Sequence, residues 1–168
     1  PKFEQFEASC FAIFRAYDER CEARADTVQS LTRKVALFWG AGFLISIHRK
    51  EQPYLTGIQQ RWAARTGMPG DSAGLTAELL VDIANAAVLS YEPPLVDAEA
   101  RIDEFEASLL KNRDVPTALG AIYGIKRRIL LAKRLLLRTL NIANRLPVPG
   151  VRQAPLMQDL RENAESMH

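Results

Sequence analysis

Leu31-Thr32-Arg33-Lys34-Val35-Ala36-Leu37-Phe38-Trp39-Gly40-Ala41-Gly42-Phe43-Leu44-Ile45-Ser46-Ile47-His48 is the stretch that decides the fold class. Successive side chains of an extended strand point to opposite faces. Leu31, Arg33, Val35 and Leu37 therefore share one face, and Thr32, Lys34, Ala36 and Phe38 the other. Between the two apolar runs, Gly40-Ala41-Gly42 supplies the residues that a tight reversal needs. A β-hairpin is expected, with strands over 31–39 and 43–48. Upstream, Phe3 to Phe6 and Cys10 to Tyr17 also read as strands. In the second of these Phe11, Ile13 and in part Arg15 oppose Ala12, Phe14 and Ala16, a pattern that predicts burial on both faces.

After Pro53 the period changes from two to three and four. Tyr54, Ile58 and Trp62 place one apolar face on a short helix, and Gly67 suits its C-terminal cap. Asp71 or Ser72 can cap a further helix on which Leu75, Leu79, Ile83, Ala86 and Ala87 share a face as far as Tyr91. Pro93-Pro94 marks a kink or a fresh start, because neither residue can donate a backbone hydrogen bond. Two segments with heptad spacing follow: Leu95, Ala98, Ile102, Phe105 and Leu109, then Ala118, Ile122, Ile125, Ile129, Ala132 and Leu136. Asp114 before Pro116 starts the second one, and the short link favours an antiparallel pair.

Charge divides along the same line. From Asp71 to Glu106 the chain is acidic with the single base Arg101, whereas from Val115 to Gln158 it carries bases only. Exposed ion pairs stabilise by ~0 to 1 kcal/mol each, so opposed charges would chiefly fix orientation and partner choice. Tyr123, Leu130 and Leu137 form a second apolar stripe on the basic helix, one that needs another surface to cover it. Pro147, Pro149 and Pro155 bracket a loop, after which Leu156 to Met167 resumes helical character. The reading is an α/β (α+β) chain: a β-rich part over 1–70 with a small mixed or antiparallel sheet flanked by helices, a long helical hairpin over 71–146, and the start of a stalk helix over 153–168.

Composition narrows the function. With 168 residues, 48% of them hydrophobic, the chain can bury a core, and 22 bases against 20 acids are too balanced for a general polyanion binder. Cys10 and Cys21 have neither redox nor structural-zinc spacing, which favours a reduced setting. No uninterrupted apolar run reaches the roughly 18 residues of a membrane helix, and Pro1-Lys2-Phe3-Glu4 does not read as a signal peptide. Both ends are abrupt, and the chain reads as a fragment. Gly40-Ala41-Gly42 is not a dinucleotide fingerprint, because a strand follows it. There is no HExxH, P-loop lysine or nucleophile elbow, so an enzyme is not expected.

The order of segments resembles the cytosolic domain of the CorA-type divalent-cation transporters, which include magnesium transporters and the ZntB zinc transporters. Pro1-Lys2-Phe3-Glu4 with Cys10-Phe11-Ala12-Ile13 resembles the family's strand entry, and Phe43 to Arg49 its hairpin strand. Ile102-Asp103-Glu104-Phe105-Glu106 and Ile125-Lys126-Arg127-Arg128 resemble its two hairpin helices. Met157-Gln158-Asp159-Leu160-Arg161-Glu162 resembles the start of its stalk helix. The family's Gly-Met-Asn signature lies beyond this stretch of sequence.

That resemblance implies an α/β soluble domain on the cytoplasmic face of the inner membrane. It implies five copies forming a funnel, joined to the bilayer by C-terminal helices absent from these residues. The implied cargo is a divalent cation, Mg2+ or Zn2+, which is also the regulatory ion between subunits; no other cofactor and no nucleic acid are implied. Carried over residue by residue, Asp159 is the candidate metal ligand, with Glu162 one turn later on the same face. A carboxylate in the first turn of a helix also suits the helix dipole, which is the structural alternative for Asp159. Asn85 and Ser90 stand near positions where the family often places acids, and Asp82 is the nearest carboxylate. His48 reads as a structural strand end, although a soft metal site with Cys10 would form if their strands paired. Two rivals differ in kind. One is a helical oligomerisation module using the spare stripe. The other is a basic amphipathic helix, Lys126 to Arg138, for nucleic acid or anionic lipid.

Overall fold

The computed structural model describes residues 2–22, 25–65, 72–109, 115–143, 145–146, 158 and 162. Four antiparallel strands form a sheet in the order β1-β2-β3-β4: β1 Lys2–Gln5, β2 Ser9–Tyr17, β3 Thr32–Gly40 and β4 Phe43–His48. A turn closed by Phe6 N–H donating to Ser9 O (2.8 Å) joins β1 to β2. The predicted hairpin is present, with Phe38 opposite Ile45 and Gly40 opposite Phe43. Its reversal uses Gly42 at φ 84°, the left-handed region that a side chain disfavours. Thr32 begins β3 rather than Leu31, because Val28–Leu31 forms a single helical turn, α1. A reciprocal capping box holds that turn: Thr27 Oγ1 accepts from Ser30 N–H, and Thr27 N–H donates to Ser30 Oγ.

Alternation is clean on β2 and β3. Ala12, Phe14 and Ala16 of β2 and Val35, Leu37 and Trp39 of β3 are buried on one face. The expectation that β2 is buried on both faces is corrected: Phe11 and Ile13 on its other side are only half-buried. On that side of β4, Phe43, Ile45 and Ile47 are exposed. Among the described residues helices pack on the first face, giving two layers.

Five helices are described in all, the remaining four being α2 Pro53–Ala63, α3 Ser72–Leu89, α4 Glu92–Leu109 and α5 Val115–Ala143. On α3 the predicted buried face needs correction. Of the expected face, Ile83 and Ala87 are buried but Leu75, Leu79 and Ala86 are only half-buried, while Thr76, Leu80, Ala84 and Val88 on other sides are buried as well. The cause is that α3 lies between the sheet, α2 and α5, so nearly every side of it meets protein. By length and composition the stretch Ser72–Ala107 would suffice to cross a membrane. Here α3 instead sits in the core cluster formed with Phe14, Leu37, Leu135 and Leu136.

Pro93 and Pro94 occupy the first turn of α4, where a missing N–H costs nothing, so they mark a fresh start rather than a kink. Helices α4 and α5 run antiparallel, with Leu95 and Ala98 near Ile129 and Ala132, and Arg101 near Ile125. Gly67, Asp71 and Asp114, expected to shape helix ends, lie outside the described residues.

Candidate functional site

The far end of β2 is where the helices are fastened to the sheet. The pairing of β1 with β2 reaches Ile13, opposite Lys2. Beyond it, the corner between α3 and α4 takes up the backbone groups of β2 with side chains. Ser90 Oγ accepts from Tyr17 N–H (2.8 Å), and the Tyr91 hydroxyl donates to Arg15 O (2.9 Å). Ser90 is itself held because its hydroxyl donates to Ala87 O (2.7 Å). Tyr91 is fully buried, and its ring meets that of Tyr17 edge-on at 6.2 Å. Burial pushes the Tyr91 phenol above its ordinary range, so it stays a protonated donor.

Helix α5 reaches the same place. Arg128 Nη2 donates to the Tyr17 hydroxyl (2.7 Å), and the Cys21 thiol donates to it at 3.2 Å. Burial raises the Tyr17 phenol, the Cys21 thiol adds to that, and the Arg128 guanidinium opposes it; the net shift is upward. One residue earlier, on the exposed side, Arg127 pairs with Asp26 at 3.3 Å. Two of the bases of α5 are thus tied to β2 and the loop that follows it, whereas Arg101 of α4 pairs with Asp97 of its own helix. Tyr17 and Tyr91 together fasten α5 and the corner of α3 and α4 to one strand end.

Beside this node lies a second polar contact. Arg33 Nε meets Asp18 Oδ2 at 2.8 Å, with both side chains largely shielded. Burial by itself would raise the Asp18 carboxyl. The Arg33 guanidinium and the donation from Arg20 N–H outweigh it and hold the pKa below the ordinary carboxylate value. A cleft of about 310 Å³ opens next to the pair, walled by Tyr17, Gln52, Tyr54 and Ser90 among others.

The residues proposed from sequence fare unequally. Asp159 lies outside the described residues. Glu162 is exposed, and its Oε1 accepts from Gln158 Nε2 at 2.8 Å. Asp82 accepts from Trp62 Nε1 at 2.8 Å and so locks α2 to α3, and Ser90 serves the node described above. His48 is exposed, its Nδ1 2.9 Å from Lys50 O. Cys10 and His48 are not brought together. Cys10 pairs with Trp39 and His48 with Val35, so one strand and four positions, about 13 Å along β3, separate them. Burial also raises the Cys10 thiol, which suits an inert core residue. Among the described residues no group of three or more His, Cys, Asp or Glu side chains is placed to hold a metal ion.

Comparison with known proteins extends this picture. The family model described as CorA-like Mg2+ transporter protein matches residues 1–167. No curated protein matches the chain. Among solved structures, the soluble domain of CorA from Methanocaldococcus jannaschii is similar at 18% identity and a TM-score of 0.76, over 99% of this chain and 65% of that one. The complete CorA magnesium transporter of the same organism is similar at 17% identity and a TM-score of 0.73, over 99% and 51%. The ZntB cytoplasmic domain from Vibrio parahaemolyticus RIMD 2210633 is similar at 18% identity and a TM-score of 0.62, over 99% and 64%. At these identities the three share the fold with this chain, which spans less than two thirds of each.

Proposed function

The chain belongs to the family of CorA-like Mg2+ transporter proteins, and from that premise we propose that it is the cytosolic regulatory and assembly part of a divalent-cation transporter. The observation that carries the reading is the family match over residues 1–167; the fold shared with the CorA and ZntB soluble domains agrees with it. The cargo is a divalent cation, Mg2+ or Zn2+. Copies of the protein, five in the intact assembly, surround the ion path at the cytoplasmic face of the inner membrane. The membrane-crossing helices belong to parts of the protein outside these 168 residues.

In this reading Asp159, with Glu162 one turn on, supplies carboxylate oxygen to a regulatory cation held between neighbouring copies. A hard dication takes oxygen ligands and cancels the repulsion between carboxylates that face each other. It therefore favours the packed arrangement, and its departure loosens the interface. The Tyr17 and Tyr91 node supports such a device, since it fastens both α5 and the corner of α3 and α4 to the end of β2. The test is cation inhibition of transport by the intact protein. The Asp159→Asn variant is expected to retain transport and lose its sensitivity to cation on the cytosolic side. Inhibition identical to that of the unaltered protein removes Asp159 from the regulatory site.

A further inference from the structure

The cleft of about 310 Å³ beside Asp18 and Arg33 contains a polar group that the fold leaves unused. Gln52 lines it and is only 3% exposed. Among the described residues its side-chain amide has no hydrogen-bond partner, and it does not cap α2 even though it stands at the N-cap. Nor is that amide sealed off, as the partnerless Tyr54 hydroxyl is, so it opens into the cleft. A buried amide without a partner is unfavourable, and whatever bonds it recovers that loss. A backbone donor stands beside it. Pro53 has no N–H, and Leu55 and Thr56 N–H both donate to Gln52 O (2.9 and 3.2 Å), which leaves Tyr54 N–H at the positive end of the helix.

The surrounding charges select the kind of ligand. Asp18 Oδ2 meets Arg33 Nε, and Asp18 Oδ1 accepts from Arg20 N–H (3.1 Å), so both of its oxygens are engaged. Among the described residues the side chains of Glu19, Arg20 and Lys50 form no ion pair. Glu19 and Arg20 line the rim, and Lys50 is close enough to act on Asp18. Two bases and a helix N-terminus against one acid favour a single negative charge; a dication would find only Glu19 unengaged, and a doubly charged phosphate would be repelled by it. The remaining wall is apolar, with the Tyr17 ring, Ala86, Leu89 and Pro93. The volume lies at the low end of small-molecule sites, which run from roughly 300 to 1,000 Å³. We propose that this cleft binds a small organic carboxylate. The carboxylate accepts from the Gln52 amide and Tyr54 N–H, and the hydrocarbon part lies against Tyr17, Ala86 and Leu89. Binding here does not depend on cation movement, since it is read on this chain and transport on the intact protein.

Sodium butyrate, a carboxylate on a short hydrocarbon chain, is the probe, titrated at constant ionic strength into isotope-labelled chain and followed by NMR. Butylammonium chloride is its cationic counterpart. The Gln52 side-chain amide signal, assigned by its loss in Gln52→Leu, should shift and saturate with half-occupancy at about 1 to 10 mM butyrate. Butylammonium should leave it in place. Gln52→Leu keeps the bulk and removes the amide, and it should weaken butyrate binding about tenfold or more, read on Tyr54 N–H. Should Gln52→Leu fail to fold, Leu89→Glu gives the second reading. Leu89 is 37% exposed, so this change should leave the circular-dichroism melt unaltered while its charge at the mouth of the cleft weakens butyrate to the same degree. Shifts that grow in proportion to butyrate without saturating overturn the proposal. So does an equal response to butylammonium, or parental affinity for butyrate in folded Gln52→Leu or Leu89→Glu.

Discussion

Tyr91 attaches the corner of α3 and α4 to β2 through both its buried ring and its hydroxyl, and these two functions can be separated by substitution. Phenylalanine keeps the buried ring and removes the hydroxyl that donates 2.9 Å to Arg15 O. That carbonyl then loses a partner in a shielded place, at a cost of about 1 to 2 kcal/mol. Alanine removes the ring as well and leaves a cavity at the corner of α3 and α4, for about 3 to 5 kcal/mol. For a chain of this size each kcal/mol lowers the melting temperature by roughly 2 to 4 °C, so Tyr91→Phe should lose about 2 to 8 °C and Tyr91→Ala clearly more. Urea unfolding followed by tryptophan fluorescence measures both, with unchanged m-values showing that the unfolded reference is the same. The reasoning is refuted if Tyr91→Phe is as stable as the parent. It is equally refuted if phenylalanine is as costly as alanine, since the ring would then contribute nothing.

Two further perturbations probe neighbouring contacts. Arg128→Gln and Tyr17→Phe each remove the charge-assisted hydrogen bond between α5 and β2. Each is expected to cost about 1 to 2 kcal/mol, and the double variant less than the sum; strictly additive values in a denaturation cycle would show that the contact carries no coupling. Asp18 is held below the ordinary carboxylate value in the fold, mainly by Arg33 against the opposing effect of burial. Its contribution is therefore complete above the unfolded carboxylate pKa and lost as pH falls through the lower folded value. An acid titration of stability should accordingly be shallower at its low-pH end for Asp18→Asn than for the parent, and identical slopes would contradict the assignment.

How legible these features are in sequence depends on their range. The hairpin of β3 and β4 follows from residue alternation and the glycines at the turn, both local, and its strand ends fall within a residue of the expectation. The exposed stripe of Tyr123, Leu130 and Leu137 is equally visible, because a heptad needs only one helix. The buried face of α3 is not, since helix periodicity assumes one covered side and α3 is surrounded on several. Least legible is the node at Tyr17. Its partners Ser90 and Arg128 lie 73 and 111 positions away, and a tyrosine at a strand end looks the same whether or not they arrive. The helix α1 escaped because a Thr-Val-Gln-Ser turn bounded by strand sequence has too few residues to display a period. Of the candidate cation ligands, Glu162 is an exposed helical carboxylate and Asp159 lies outside the described residues, so the cation role of both rests on the resemblance to the family motif.

The most direct test of the whole account is divalent-cation flux through the full gene product reconstituted in vesicles, with cation added in turn to each side. The account predicts entry of Mg2+ or Zn2+ that slows when the same cation is supplied to the face bearing the domain described above. Folded protein that moves neither cation from either side would contradict it.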